Sequence, residues 1–574
     1  MSGLSIALAV PAVCAALLWW TRTRAIALAC APWTAAPAFL LAIAGASEVV
    51  SWPSVLFGLD LGVDPVDRGF LLLTSAVWLA AGVFGGTYMA AAPRRARFWT
   101  SFLVTQAANL GVVLAFDVAS FYCFYSVMTI AAFGLVVHEE TPLARRAARI
   151  YLVLALLGEL AVLAAMFLIV GPRIDLPLSA VPEAIASSPS RDAIVVLVLL
   201  GFGVKTGALG LHVWLPLAHP AAPTPASAVL SGALVKAGLL GWLRFLPLGA
   251  AALPATGLVC VAAGLLAAFY AIAVGLAQRD GKTVLAYSSV SQMGFIGTTV
   301  GIALAVPEAA DTAKVAVMFY AIHHAIAKAT LFLGYGLATQ TTGRWPRRLV
   351  LGGLVLAALD LAGAPLSSGA LAKLTIKDVV ASGPWEAPSL TVLLSIGAIG
   401  SMLLMLHFLR IVAAQRPAHD APVRIGMWLP WCALLAASVA LLAAAPLDSV
   451  TARAVVDPGH AWSAIWPVAT GLALFVVIRR LRVSREIVPA IPPGDVVVLY
   501  ERAARALTRV AHVVADRATN MQHAFERARA SPIERLRRTA ARILELEPRL
   551  ATLPAIGVLF AGLIAIGLVR AWMS

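Results

Sequence analysis

The stretch GFGVKTGALGLHVWLPLAHPAAPTP (201–225) decides what kind of protein this is. It is long and apolar, as a membrane span is, yet it carries glycines and prolines next to Lys205 and two histidines. A second stretch, ALDLAGAPLSSGALAKLTIKDVV (358–380), repeats the pattern, with glycine and proline near Lys373. In hydrocarbon no water is at hand for backbone groups freed by a helix break, so such a break survives only where protein or a wet cavity satisfies them. Two broken helices in one chain predict a transport site near the membrane midplane.

Outward from these stretches the chain keeps one character. Of its 574 residues 61% are hydrophobic and 12% charged, and its mean hydropathy is +0.90. No soluble core could hide that much apolar surface, so the chain is read as an integral membrane protein without room for a soluble catalytic domain. A net charge of +15 would suggest nucleic acid in a soluble protein. Here the arginines and lysines stand in short clusters between apolar runs, which is a mark of topology. The cysteines, Cys14, Cys30, Cys123, Cys260 and Cys432, are scattered singly without a CxxC pair, so neither a zinc site nor an iron–sulfur cluster is encoded. No glycine-rich nucleotide loop lies between a strand and a helix. The expectation is no cofactor, no metal and no catalytic centre in this chain.

With about 20 apolar residues per crossing, the apolar runs predict an all-α polytopic protein with spans at 3–20, 25–45, 69–90, 98–116, 118–138, 149–171, 193–220, 225–247, 255–277, 284–305, 313–340, 347–381, 388–412, 427–446, 461–480 and 553–572. The first has no basic residue ahead of it and Arg22 and Arg24 behind it, the reverse of a cleavable signal, and is expected to stay as a span. Charge checks the count. With the N-terminus outside, the inside loops hold Arg22/Arg24, Arg94/Arg95/Arg97, Arg145/Arg146/Arg149, Arg279/Lys282, Arg344/Arg347/Arg348, Arg416/Arg424 and Arg479/Arg480/Arg482/Arg485. The alternate loops hold Glu48, Asp60, Asp64 and Asp67, then Asp175 and Glu183, Glu308 and Asp311, and Glu386, as outside loops should.

The broken spans, 193–220 and 347–381, are five apart in this count. That spacing suggests two five-helix units of opposite orientation, 98–247 and 255–412, behind a three-helix segment 1–97 and ahead of two further spans within 427–480. Near 495–547 the chain is polar, with Leu499, Ala503, Leu507, Val510, Val514, Ala518, Met521 and Phe525 at steps of three and four, the mark of an amphipathic helix. Ser531-Pro532-Ile533-Glu534 reads as the start of a second helix. An Arg-rich helix of this kind rests on lipid headgroups or clamps neighbouring subunits, and the run 553–572 would anchor its far end.

Ionisable groups within spans are functional hypotheses by default, because their burial costs several kcal/mol unless a partner or wet cavity is present. Lys205, Lys236, Lys328 and Lys373 all qualify. A lysine in a partly hydrated path gains or loses a proton as its partner moves, which is the chemistry of a relay. Glu159, in LLGELAVL, is the carboxylate clearly inside the first five-helix unit and the candidate partner. His324 lies four residues before Lys328, on the same helix face. His212 stands beside the first break, His407 reads equally as structural or functional with Arg410 one turn on, and His219 and His323 read as structural. Glu139 and Glu140 read as interfacial, the alternative being that they line an inner proton entrance.

The stretches GFGVKTGALGLHVWLPLAHPAAPTPASAVLSGALVKAGLLGWLRF (201–245), KTVLAYSSVSQMGF (282–295), HHAIAKATLFLGYG (323–336) and GAPLSSGALAK (363–373) resemble the antiporter-like subunits of respiratory complex I, of membrane-bound nickel–iron hydrogenases and of Mrp-type cation/proton antiporters. The likeness covers roughly 100–410. It implies a fourteen-helix core with inverted five-helix units and a hydrophilic axis along the midplane. In that axis Lys205 matches the lysine on the first broken helix, Lys236 the central one, His324 and Lys328 the linking pair, and Lys373 the lysine near the exit. The long C-terminal helix and its anchor look like the lateral extension of the distal complex I subunit.

One departure stands out. The family usually carries a glutamate in the fifth helix, and the matching stretch FYCFYSVMTIAAF (121–133) has Tyr125 and Ser126 there. Glu159 aligns with an acidic position of some distal subunits, and Ser126 with water would carry protons but no charge. The resemblance implies a proton-conducting subunit driven by redox chemistry in partner subunits. Open beside it are a Na⁺ or K⁺/proton antiporter subunit, a membrane subunit for inorganic-carbon uptake, and a scaffold that has lost conduction. Expected partners are lipid and other membrane subunits, not nucleic acid. Positive-inside loops without a transit peptide suit a bacterial or archaeal plasma membrane, with the lateral helix on the cytoplasmic face.

Overall fold

Helix starts follow from local chemistry that the apolar runs alone do not show. In the computed structural model, which describes residues 2–45, 48–53, 58–171, 176–385, 387–415, 425–443, 458–481 and 491–545, six helices begin where a side-chain oxygen accepts from a backbone N–H that would otherwise be orphaned. These oxygens belong to Ser2, Asp64, Asp117, Thr141, Asp280 and Ser367. The chain divides into two compact units, Met1–Asp495 and Val496–Ser574.

The first unit runs α1 (Gly3–Leu17), α2 (Arg24–Cys30), α3 (Ala36–Ala44), a two-stranded antiparallel hairpin β1 (Val50–Trp52) and β2 (Leu59–Leu61), α4 (Pro65–Tyr88), α5 (Arg95–Leu114), α6 (Val118–Val136), α7 (Pro142–Val170) and the short α8 (Val181–Ala186). It continues with α9 (Arg191–Thr206), α10 (Trp214–Ala221), α11 (Thr224–Val229), a π turn (Leu230–Leu234) and α12 (Val235–Phe245). It is completed by α13 (Pro254–Leu276), α14 (Gly281–Ala305), α15 (Ala310–Gln340), α16 (Arg344–Ala362), α17 (Ser368–Ala381), α18 (Ala387–Ala414), α19 (Ile425–Ala443) and α20 (Pro458–Arg480). The last of the predicted spans, 553–572, and Asp175, Glu386, Arg416, Arg424, Arg482 and Arg485 of the charge pattern lie outside the described residues. Each of the other predicted spans coincides with helical structure, and among the described residues ten helices are long and apolar enough to cross a membrane.

Three expectations are corrected. The unit is not purely helical, since β1 and β2 pair at its edge and Leu61 bridges to Ala115 at the end of α5. The span 25–45 stands as one of those ten, yet it is not one continuous α-helix. Pro32 and Pro37 lack the N–H that would continue the ladder, and a 3₁₀ turn at Ala31–Trp33 separates α2 from α3. In the second unit, α21 (Val497–Glu545) runs on through Ser531-Pro532 without a new start. A capping pattern marks where a helix can begin and does not stop one already running. At about 1.5 Å per residue α21 is roughly 70 Å long, and Leu499, Met521 and Leu536 on it are exposed.

Glycines set the closest helix pairs, as small residues do where no hydrophobic drive separates helix from lipid. A Cβ on Gly257 would lie 2.5 Å from the Gly301 carbonyl oxygen, and one on Gly264 2.6 Å from that of Gly294, so α13 and α14 touch backbone to backbone. Gly158 and Gly201 do the same for α7 and α9.

At one rim of the first unit Glu140, between α6 and α7, pairs with both Arg94 and Arg97. The hydrogen bond from Arg97, aided by the Arg94 charge, holds its carboxyl below the usual carboxylate range. A depressed folded-state pKa contributes stability that is full above the unfolded value of about 4.3 and is lost as pH falls through the folded one. Glu140→Gln is therefore expected to reduce the acid-side fall in unfolding temperature of the purified protein while leaving the curve above neutrality nearly unchanged. Equal acid limbs for parent and variant would show that the pair contributes nothing.

Candidate functional site

Both predicted breaks are real, and each ends on a left-handed glycine. Gly207 (φ 77°) closes α9, and Gly363 (φ 87°) closes α16. At the first break the Trp214 indole donates to the Val204 carbonyl at 2.7 Å, a second donor beside the Gly207 N–H that caps the helix. At the second, the Lys373 ammonium donates to the Ala362 carbonyl. The Ser367 hydroxyl there accepts from the Ala370 N–H at 3.2 Å to start α17. A cavity of about 310 Å³ lies beside this break, lined among others by Ser367, Lys373, Lys377 and Pro467.

Lys205 is buried in the last turn of α9. Its ammonium donates to Thr129 Oγ1 at 2.7 Å and to the Tyr151 hydroxyl at 3.3 Å, and lies 5.4 and 5.3 Å from the ring centres of Tyr125 and Tyr151. Where the fifth-helix carboxylate is expected, Lys205 meets a ring and a hydroxyl. Ser126 is half-buried, and its hydroxyl has no partner among the described residues. Glu159 is buried two turns beyond Tyr151 on α7, with Oε1 unpaired. It makes no direct ion pair with Lys205, whose ammonium is held by Thr129 and Tyr151.

The centre is Lys236. The π turn before it leaves the Ser231 carbonyl facing the ammonium, which donates to it at 2.6 Å, and His324 Nδ1 lies 2.7 Å away. Lys236 and His324 are both fully buried, and among the described residues no carboxylate is a hydrogen-bond partner of either. Ser231 Oγ meets Ser289 Oγ at 2.9 Å, and Ser289 Oγ donates to the Leu285 carbonyl at 3.2 Å. That carbonyl also accepts from Lys328 at 2.7 Å, and Lys328 further meets Ser288 Oγ. Lys236 and Lys328, on different helices, thus touch one polar seam, which Lys236 meets at the Ser231 carbonyl and which runs from the Ser231 hydroxyl through Ser289 to the Leu285 carbonyl beside Lys328.

The remaining predicted residues are more dispersed. His212 is fully buried at the first break, edge-on to Tyr270 and Tyr287, with Nε2 3.7 Å from Asp495 Oδ1. His407 Nε2 lies 2.8 Å from the Gln278 carbonyl, and Arg410 bonds its Nδ1 at 3.0 Å, so this histidine ties α18 to the end of α13. Glu139 is exposed, and Glu140 is held in the arginine cluster. His219 stacks on Phe332. His323, which the sequence marks only as structural, has Nδ1 2.9 Å from Ser368 Oγ, and Asp360, which sequence reasoning missed, is buried and accepts from that hydroxyl. The buried Lys282, read from sequence as a loop charge, donates to the Ala222 carbonyl at 2.7 Å. Asp360 stands in the quoted stretch 358–380, and its place within an otherwise apolar run was the available signal. Among the described residues no cluster of histidine, cysteine or acidic side chains could hold a metal.

Residues 115–403, the part that holds both breaks and all these lysines, match the family NADH:quinone oxidoreductase/Mrp antiporter, TM. The chain belongs to this family. It is an antiporter-like, multi-pass membrane subunit of the group shared by Mrp antiporters, complex I and related hydrogenases. It is 32% identical over 398 residues to a protein of Rhizobium meliloti strain 1021 that bears the name of a probable K(+)/H(+) antiporter subunit, covering 65% of this chain and 38% of that one. The chain spans about half the length of several such curated relatives. Its fold is similar to a chain of the Mrp complex from Dietzia sp. DQ12-45-1b, with a TM-score of 0.73 and 24% identity over 89% of this chain and 60% of that one. It is also similar to a chain of the archaeal membrane-bound sulfane sulfur reductase, with a TM-score of 0.69 and 22% identity over 99% of this chain and all of that one.

Proposed function

We propose that the chain is a proton-carrying subunit of a multi-subunit membrane complex, with Lys205, Lys236, His324, Lys328 and Lys373 as the relay and redox chemistry in partner subunits as the drive. The observation that carries this reading is the Lys236–His324 contact at 2.7 Å, an ammonium against an imidazole nitrogen in a fully buried site. Two nitrogen bases that close share one proton readily, and transfer from Nζ to Nδ1 breaks one N–H bond and makes another. Glu159 sets the charge near Lys205, and Thr129 and Tyr151 accept from Lys205 when it is protonated. His212, His407, Ser126, Glu139 and Glu140 lie at the margins of the path. The finer architecture of this reading has sixteen spans and inverted units at 98–247 and 255–412. Its N-terminus is outside, and α21 lies on the cytoplasmic face against neighbouring subunits.

A cation/proton antiporter subunit is the second reading, favoured by the name of the Rhizobium relative. One experiment separates the two. The tagged chain is purified in mild detergent, its companions are identified by mass spectrometry, and the recovered complex is tested for proton movement in liposomes with and without Na⁺ or K⁺. Iron–sulfur companions and cation-independent movement are the expected result. Cation-dependent exchange with membrane companions alone would establish the second reading and overturn the first.

A further inference from the structure

The second break holds a group that the relay above does not use. Asp360 lies in the last turn of α16, and His323 on α15 is next to His324. The Ser368 hydroxyl donates to Asp360 Oδ1 at 2.9 Å and stands 2.9 Å from His323 Nδ1, while Asp360 Oδ2 is 3.6 Å from the same nitrogen. Because the serine proton is given to the carboxylate, His323 donates from Nδ1 and leaves Nε2 as a free acceptor. Both Nε2 of His323 and Oδ2 of Asp360 are buried without hydrogen-bond partners. Asp360 also accepts from the Gly369 N–H at 3.0 Å, and two residues on from it the Ala362 carbonyl holds Lys373. A carboxylate, a hydroxyl and an imidazole thus form one chain of contacts, whose imidazole is the sequence neighbour of His324 and whose carboxylate stands two residues before the carbonyl that holds Lys373.

We propose that His323, Ser368 and Asp360 carry protons between the Lys236–His324 pair and Lys373, a role that rests on the relay reading above. A proton arrives at His323 Nε2. The Nδ1 proton then passes to Ser368 Oγ as the serine proton passes to Asp360 Oδ1, leaving a neutral imidazole, an unchanged serine and a protonated carboxyl. Asp360 releases its proton towards Lys373, and the imidazole returns its remaining proton from Nε2 to Nδ1 before the next transfer. No bond other than O–H and N–H is made or broken, and no oxidant is needed.

The test uses the intact complex recovered with the full-length chain, in liposomes holding a pH-sensitive dye, with a pH step imposed in the presence of valinomycin. Asp360→Asn keeps an acceptor for Gly369 N–H, and with it the helix start, but cannot take a proton. Asp360→Asn and Ser368→Ala are each expected to slow proton uptake at least about tenfold, while Ser368→Thr, which keeps the hydroxyl, stays within about twofold of the parent. Infrared difference spectra of the same complex across a pH jump are expected to contain a carboxyl C=O band that Asp360→Asn removes. Uptake within about twofold of the parent in Asp360→Asn and Ser368→Ala, with Lys236→Ala blocked, overturns the inference and leaves the relay standing. If Lys236→Ala also conducts like the parent, the relay reading falls and the inference with it. Should Asp360→Asn fail to assemble, the Ser368→Ala and Ser368→Thr pair decides.

Discussion

Lys236→Gln is expected to stop proton movement through the reconstituted complex, by at least about a hundredfold, with little change in the temperature at which the complex unfolds. The amide can still donate to the Ser231 carbonyl, so the acceptor exposed by the π turn keeps a partner. What is lost is a group able to hand a proton to His324 Nδ1 at 2.7 Å. Lys236→Ala makes the contrast sharp. It removes the donor as well and leaves the carbonyl and the imidazole unsatisfied in a fully buried place, where each costs about 1–3 kcal/mol. The alanine variant should therefore lose both flux and thermal stability, and the glutamine variant flux alone. Flux persisting in both would show that protons bypass the centre of the molecule.

Gly369→Ala is expected to be the most damaging single-methyl change in the second half of the chain. A Cβ there would lie 1.8 Å from the Asp360 carbonyl oxygen and 2.9 Å from His323 Cε1. The first of these is backbone at the end of α16 and cannot turn aside as a side chain would. Either α17 moves away from α16 or the variant does not fold, at a cost of about 3 kcal/mol or more. The control is Gly352→Ala, on α16, where nothing lies within 4 Å. That change should be neutral or stabilising by up to about 1 kcal/mol, since it removes a flexible residue from a helix. Thermal unfolding of the purified variants reads both, and equal melting of the two would refute the close approach of α17 to α16.

Much of this arrangement is legible in the sequence because hydrocarbon enforces it. The breaks betray themselves through glycine and proline beside a lysine, and Lys205, Lys236, Lys328 and Lys373 through their cost in an apolar run. What escapes notice depends on contacts between distant segments. Lys205 finds Thr129 and Tyr151, on α6 and α7, and neither differs in the sequence from an ordinary core residue. Ser126, one residue past the Tyr125 that faces Lys205, is the position a motif comparison singles out. Thr129, one helical turn beyond Tyr125, has the geometry. Asp360 and His323 become partners only because Gly369 lets α17 approach, and no local pattern encodes that. The hairpin is missed for a similar reason. Its strands are three residues each, too short for an alternating pattern to emerge, and Leu61 is fixed in place from outside by Ala115.

A π turn holds one residue more than an α-helix needs to come round, and this has a meaning for the helix that carries Lys236. Before Leu230–Leu234, α11 lies against α4 and α15, and after it α12 lies against α9. In α12, Gly238 and Gly241 sit where a Cβ would strike the Phe202 carbonyl and the Phe202 ring. The extra residue is a clocking shim: it turns everything downstream by about 100° relative to an uninterrupted helix, so that one rod presents one flank to two neighbours and a different flank to a third. Loss of a single residue there would not be a local lesion. It would re-time the whole of Val235–Phe245, turning the two glycines off α9 and the lysine away from its histidine in one motion, which makes the length of this segment as restrictive as its chemistry.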